Sequence, residues 1–140
     1  MENTMTIKEY YDEIVKLTEE YLEQYEFKRS GTTSVFYRYN DNKTKGWIIG
    51  FRKSLDNTSD WCRFVTKFGC LETKDLASYG ISHDRVRLKE LKMYFMDGYS
   101  MCDYIHDLDW LVVGTESVDI YFKSRILPEL EKIIKQFQLQ

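Results

Sequence analysis

Three short runs of aromatic and β-branched residues most constrain how this chain folds. The runs cover residues 34–39, 46–53 and 61–68. Side chains of these types pack well on a pleated, half-buried surface, so each run predicts a β-strand. The two segments between them are polar, rich in turn-forming residues and too short for the crossover that a parallel pair needs. The sequence therefore predicts an antiparallel three-stranded meander.

Alternation within the runs assigns their side chains to two faces of the predicted sheet. In the second run, Trp47, Ile49 and Phe51 share one face, whereas Ile48 and Arg52 lie on the other. Successive side chains of a strand point to opposite faces, so we expect one face to be covered and the other to be partly wet. The third run places on one face Cys62, Phe64, Thr66 and Phe68.

A helical pattern precedes the meander. Thr6 and Glu9 have the spacing of a capping box, and apolar residues follow at helical intervals as far as Tyr25. The pattern predicts an N-terminal helix over residues 7–25. We interpret the tyrosines of this helix as core and boundary residues rather than as a ligand cage. They are Tyr10, Tyr11, Tyr21 and Tyr25.

The C-terminal region carries a second helical stripe, over residues 117–138, which opens at Thr115 or Ser117. Pro128 lies inside the stripe, where it removes a backbone donor and crowds the preceding turn. We therefore expect either a kink or two helices, the second with Pro128 at its first position.

The middle of the chain is less regular. Residues 85–95 fit a strand or a helix, and we favour the strand. Residues 99–109 read as a connection, and the apolar run at 110–113 predicts a short strand. The fold class is therefore α+β. An antiparallel sheet of about four to five strands carries the N-terminal and the kinked C-terminal helix on one face.

Composition limits compartment and partners. The chain has 140 residues, which suits a single domain over residues 1–140. Its net charge is -3 with basic and acidic residues interspersed, which argues against nucleic acid. The sequence shows no secretory signal and no apolar run of the roughly 20 residues that a membrane helix needs. Three cysteines without C-x-x-C spacing indicate free thiols, so we expect a reducing, cytoplasmic setting. We expect no cofactor.

Ligand-type side chains concentrate between Cys102 and Asp109. If this stretch is helical, Cys102 and His106 share a face and an aspartate can orient the imidazole, as in a thiol nucleophile or part of a metal site. Zinc sites usually need four ligands and His83 is the only other histidine, so we favour a solvated loop and assign no catalytic or metal-binding residue. Trp61, beside a polar loop, is a candidate interface anchor. The candidate binding residues are Trp61, Tyr104, His106, Asp107 and Asp109.

Basic residues near one end of the meander fit either a basic patch or solvated sheet charge. We favour the second interpretation because the chain is acidic overall. The residues concerned are Lys28, Arg29, Arg38, Lys43 and Lys45.

Several short motifs resemble those of a bacterial family known only as a domain of unknown function. The resemblance covers most of the chain in the same order, although Arg52 stands where the family usually has glutamine. It implies a small cytoplasmic bacterial domain without an established activity, and it transfers no catalytic residue. The motifs are Phe27-Lys28-Arg29 followed by Gly31, Val35-Phe36-Tyr37-Arg38, Trp47-Ile48-Ile49-Gly50-Phe51-Arg52-Lys53-Ser54, Arg63-Phe64-Val65-Thr66-Lys67-Phe68-Gly69, Arg85-Val86-Arg87-Leu88-Lys89-Glu90-Leu91, Asp109-Trp110-Leu111-Val112 and Ile126-Leu127-Pro128-Glu129-Leu130-Glu131.

These features favour a non-enzymatic protein-binding module, in its most concrete form a toxin-neutralising immunity-type protein. No nucleotide-binding, zinc-protease or serine-hydrolase motif is present, which lowers the expectation of an enzyme. An acidic surface suits a basic partner. The alternative is a small-molecule or enzymatic domain whose pocket lies between sheet and helices near Cys102, His106 and Asp109. The sequence leaves open a homodimer through an edge strand or the C-terminal helix.

Overall fold

The computed structural model describes residues 5–41, 45–53, 62–72, 103–104, 110–112 and 117–139. The described helices are α1 (Ile7–Glu23), α2 (Val118–Tyr121) and α3 (Leu127–Phe137), and a π-helical turn (Phe122–Ile126) joins the last two. The described strands are β1 (Lys28–Arg29), β2 (Val35–Tyr39), β3 (Lys45–Lys53), β4 (Cys62–Glu72), β5 (Asp103–Tyr104) and β6 (Trp110–Val112). This is the predicted α+β architecture.

The strands form one antiparallel sheet in the order β1-β2-β3-β4, with β5 and β6 both paired to the far edge of β4. Strands β2, β3 and β4 are the predicted meander, and β4 extends four residues beyond the predicted end, to Glu72. The sequence did not indicate β1 or β5, because two residues are too few to show an alternating pattern. The question of strand or helix at residues 85–95 lies outside the described residues.

The register confirms the predicted faces. Phe36, Ile49 and Phe68 stand opposite one another on three neighbouring strands, on the face that carries the main hydrophobic core. The second face is partly wet, as expected. Lys28 and Arg52 are exposed on it, whereas Val35 and Ile48 are buried.

Helices α1 and α2–α3 lie side by side on the core face, as predicted. The ring of Tyr10 in α1 packs edge-on against Tyr121 in α2, with centroids 5.9 Å apart. Near the C-terminal end of α1, the pKa of Tyr21 is raised, mainly by burial and then by Tyr25 and by the charge of Glu131 in α3. Tyr21 therefore lies on the side of α1 that faces α3. The early parts of the two helical segments are thus neighbours, and so are the later parts, so the segments run in the same direction.

Both ends of α1 are closed by recognisable caps. Thr6 accepts from the Glu9 N–H and Glu9 accepts from the Thr6 N–H, which is the predicted capping box. At the other end, the Phe27 N–H donates to the Leu22 carbonyl at 3.2 Å. Glu26 adopts a left-handed φ of 66° there, the position that a Schellman cap usually gives to glycine.

Pro128 divides the C-terminal helical segment. Ser117 caps its start, as predicted, and the Leu127 N–H donates to the carbonyl of Phe122 instead of forming an α-helical bond. The wider π-helical turn relieves the crowding that the proline ring would cause against the preceding turn. Pro128 then stands in the first turn of α3, where its missing donor costs nothing.

Candidate functional site

Most of the predicted site residues fall outside the part of the chain that the structure describes. Trp61, His106, Asp107 and Asp109 all lie there. The backbone of Tyr104 is described, in β5, where it pairs with Lys67 of β4. Because Asp103–Tyr104 is a strand, the helical arrangement that would align Cys102 with His106 does not hold at these two residues.

The described ranges contain no cluster of three or more His, Cys, Asp or Glu side chains that could hold a metal ion. Among the helices in these same ranges, none is long and apolar enough to cross a membrane. Three groups of side chains stand out: one at each end of the helix–sheet interface and one on the outer side of α1.

The first group lies at the end of the sheet beneath the C-terminal end of α1, and consists of Arg38, Lys45 and Trp47 (the cationic corner). Arg38 is directly opposite Trp47 in the β2–β3 register, and Lys45 precedes Trp47 by two residues on the same face. The Arg38 guanidinium carbon is 5.5 Å and the Lys45 ammonium nitrogen 5.4 Å from the centre of the Trp47 ring. Both distances are typical of cation–π contacts.

Arg38 also ties α1 to the sheet. Its Nη1 donates to the Tyr25 carbonyl at 2.7 Å, and its Nη2 lies 3.5 Å from a carboxylate oxygen of Glu26. Carbonyls at the end of a helix carry partial negative charge and lack helical partners, so a guanidinium is well suited to them. The arginine therefore serves as a cap that β2 supplies to α1.

Two buried hydrogen-bond donors of the cationic corner have no acceptor among the described residues. Trp47 is only 8% exposed, and its Nε1 is buried without a hydrogen-bond acceptor in the described part of the protein. The Nε of Arg38 is also buried without a hydrogen-bond acceptor in the described part of the protein. Buried donors without acceptors are rare in folded proteins because each one loses its hydration.

The second group is the aromatic end of the interface, formed by Tyr11, Phe51 and Phe64. The ring of Phe64 lies 5.2 Å from the rings of both Tyr11 and Phe51, in edge-to-face geometry. The ammonium of Lys53 sits 4.1 Å above the Tyr11 ring. Burial raises the pKa of Tyr11 to about 12, with Ser34 acting in the opposite direction. Burial also raises the pKa of the neighbouring Cys62 thiol, so this cysteine is held in its unreactive form.

The third group is the acidic surface, which we define as Glu19, Glu20 and Glu23 in the last two turns of α1. Glu20 and Glu23 are exposed and Glu19 is half-buried. The last turn of α1 contains no basic residue. The chain therefore gathers negative charge at the end of the helix that is already negative.

Comparisons with protein-family models, with curated proteins and with solved structures gave no match. The resemblance to a bacterial family of unknown function therefore stays a prediction.

The sequence pattern identified some of these residues but not their roles. Tyr10 and Tyr11 are buried, and Tyr21 and Tyr25 are half-buried, as predicted. Arg38, in contrast, is not solvated sheet charge, because its side chain is only 20% exposed beside Trp47. The alternation that puts Trp47 on the core face also puts Lys45 there, but the position of Arg38 depends on a register that no single strand reveals.

Proposed function

We propose that this protein is a protein-binding module whose acidic surface receives a basic protein partner. Its most concrete form is a bacterial immunity-type role, in which the module covers a basic toxin in the cytoplasm and so neutralises it. The observation that supports the proposal is the placement of Glu19, Glu20 and Glu23, which is unfavourable for the helix itself.

The unfavourable energy has two sources. Glu19 and Glu23 are four residues apart, a spacing at which like charges destabilise a helix by about 0.2–0.5 kcal/mol. Glu20 and Glu23 also lie in the last turn of α1, where the helix dipole favours cations. Function often retains residues that stability alone would replace, and binding surfaces are a common instance.

A surface of this kind suits electrostatic steering. Complementary charge raises the rate at which two proteins meet and raises it most at low salt. Because Glu20 and Glu23 are exposed, a partner can approach them without displacing any part of the described protein. The expected partner is a protein with clustered lysine and arginine side chains.

The experiment is affinity capture from lysate of the native host, followed by mass spectrometry. It compares the wild-type protein with Glu20→Gln/Glu23→Gln. The matched control, Asp41→Asn/Asp119→Asn, removes the same amount of negative charge from exposed positions elsewhere. We expect a stoichiometric basic partner that the wild type and the control retain and the glutamine variant loses.

The glutamine variant should at the same time melt at a higher temperature than the wild type, because it removes the like-charge contacts in α1. Loss of the partner with gain of stability would separate binding from misfolding. Equal capture by all three proteins would contradict the role of the acidic surface. Capture of no protein at all would overturn the binding-module proposal and favour the small-molecule alternative.

A further inference from the structure

The cationic corner contains more hydrogen-bond donors than acceptors. Trp47 Nε1 and Arg38 Nε are buried and have no acceptor in the described part of the protein. Neither Arg38 nor Lys45 can ever accept a hydrogen bond, and an indole nitrogen only donates. What these groups lack is therefore an acceptor, and a negatively charged one suits two neighbouring cations best.

We propose that the cationic corner is a binding site for an oxyanion, namely a phosphate or carboxylate group of a small ligand. One oxygen of the anion accepts from the indole N–H of Trp47, another from Arg38 Nε, and the Lys45 ammonium supplies the second positive charge. Both cations lie about 5.5 Å from the centre of the Trp47 ring, so the positive charge of the corner is concentrated around the indole that carries the unpaired donor.

The chain itself provides a partial substitute for such an anion. The carboxylate of Glu26 lies 3.5 Å from Arg38 Nη2 but is 80% exposed, so it neutralises the arginine from the solvent side. The buried Nε of Arg38 still has no acceptor within the ranges that the structure describes. The β3–β4 register places Lys45 opposite Glu72. What the anion would supply is therefore an acceptor for the buried donors of Arg38 and Trp47, rather than balance for an unpaired lysine.

The test follows the indole N–H resonance of Trp47 by NMR while sodium phosphate is added against sodium chloride of equal ionic strength. Trp47→Phe identifies this signal among those of the three tryptophans. We expect it to move downfield and to saturate, because the N–H gains a charged acceptor. A parallel titration with acetate distinguishes the two sources of oxyanion, since a phosphate site responds at lower phosphate than acetate concentration.

Two lysine variants decide whether the response comes from this site. Lys45→Met should weaken phosphate binding roughly tenfold, because it removes one charge-assisted contact. Lys28→Met is the matched control, since Lys28 is exposed on the second face of the sheet, and binding should stay unchanged. The proposal is overturned if the Trp47 signal does not move with either anion, or if both lysine variants weaken binding equally. Neither titration involves a protein partner, so the outcome is independent of the function proposed above.

Discussion

The two ends of the helix–sheet interface hold α1 in different ways. At the aromatic end, Tyr11 packs against Phe51 and Phe64, and almost all of the stabilisation comes from removing apolar surface from water. At the cationic corner, Arg38 donates a directional hydrogen bond to the Tyr25 carbonyl, and two buried donors, Arg38 Nε and Trp47 Nε1, have no acceptor among the described residues. The aromatic end therefore contributes mainly stability. The cationic corner is less favourable for stability, but its buried donors are groups to which the proposed oxyanion would bind.

The largest effect is expected at the aromatic end. Phe64→Ala should lower the free energy of unfolding by about 3–5 kcal/mol, because the side chain is 1% exposed and its removal leaves a cavity. Phe51→Ala should do the same. Denaturant unfolding measures the change. Phe137→Ala is the control, and it should lose less because Phe137 is only half-buried. A melting temperature near that of the wild type for both core variants would disprove the assignment of this end to the core.

The buried Tyr11 hydroxyl makes the aromatic end sensitive to alkali. The pKa of Tyr11 is raised from 10.0 to about 12 in the folded protein, so the folded state holds this proton more tightly than the unfolded state does. The corresponding stability is fully present below pH 10 and is lost as the pH rises from 10 to 12, at about 1.4 kcal/mol per pH unit.

Unfolding in denaturant at a series of pH values measures this loss. In Tyr11→Phe, the free energy of unfolding should fall less steeply between pH 10 and 12 than in the wild type. At pH 8 the tyrosine is protonated in both the folded and the unfolded state, so any difference between the two proteins there does not come from its ionisation. An identical slope in the wild type and the variant would show that Tyr11 does not ionise on unfolding in this range.

The sequence predicted the aromatic end much better than the cationic corner. Phe51 and Phe64 follow from alternation within single strands, and Tyr11 from helical spacing, so local pattern is enough. The corner depends on relations between elements. Arg38 meets Trp47 only because β2 and β3 pair in one register, and it meets Tyr25 only because α1 ends above them. The residue pattern within a single segment cannot predict contacts between side chains of different elements.

The C-terminal helical segment shows a similar limit. Pro128 predicted a disturbance, and its chemistry explains why the α-helix cannot continue unchanged. The form of the disturbance, a π-helical turn at Phe122–Ile126, depends also on keeping both Phe122 and Ile126 buried against the sheet. Propensity thus locates the break, and packing decides its shape.

At the cationic corner, an intermediate effect is expected from removing the cap. Arg38→Met keeps much of the apolar stem but loses the bond to the Tyr25 carbonyl, so it should lower the free energy of unfolding by about 1.5–3 kcal/mol. Arg29→Met is the comparison, because the hydrogen bonds that Arg29 makes within the described residues go to carbonyls of its own turn, those of Thr32 and Thr33. If both arginine variants lose equally little in denaturant unfolding, Arg38 is not the cap of α1.

The smallest expected effect is a stabilisation, and it concerns Glu26, the exposed residue whose carboxylate lies beside Arg38. Glu26→Gly should raise the free energy of unfolding by about 0.5–1 kcal/mol, because glycine adopts the left-handed φ of 66° without steric cost. The lost ion pair with Arg38 offsets little of this gain, since the Glu26 side chain is 80% exposed.

The same substitution three residues earlier supplies the control for Glu26. Glu23 ends the regular part of α1, where glycine increases the entropy lost on folding. Measured against Glu23→Gln, which removes the same charge, Glu23→Gly should therefore destabilise by up to about 1 kcal/mol. Opposite signs of the two changes in thermal unfolding would show that strain resides in the turn at Glu26. Destabilisation by both would mean that the contact between Glu26 and Arg38 outweighs the strain, and the cationic corner would then depend on Glu26 for its charge balance.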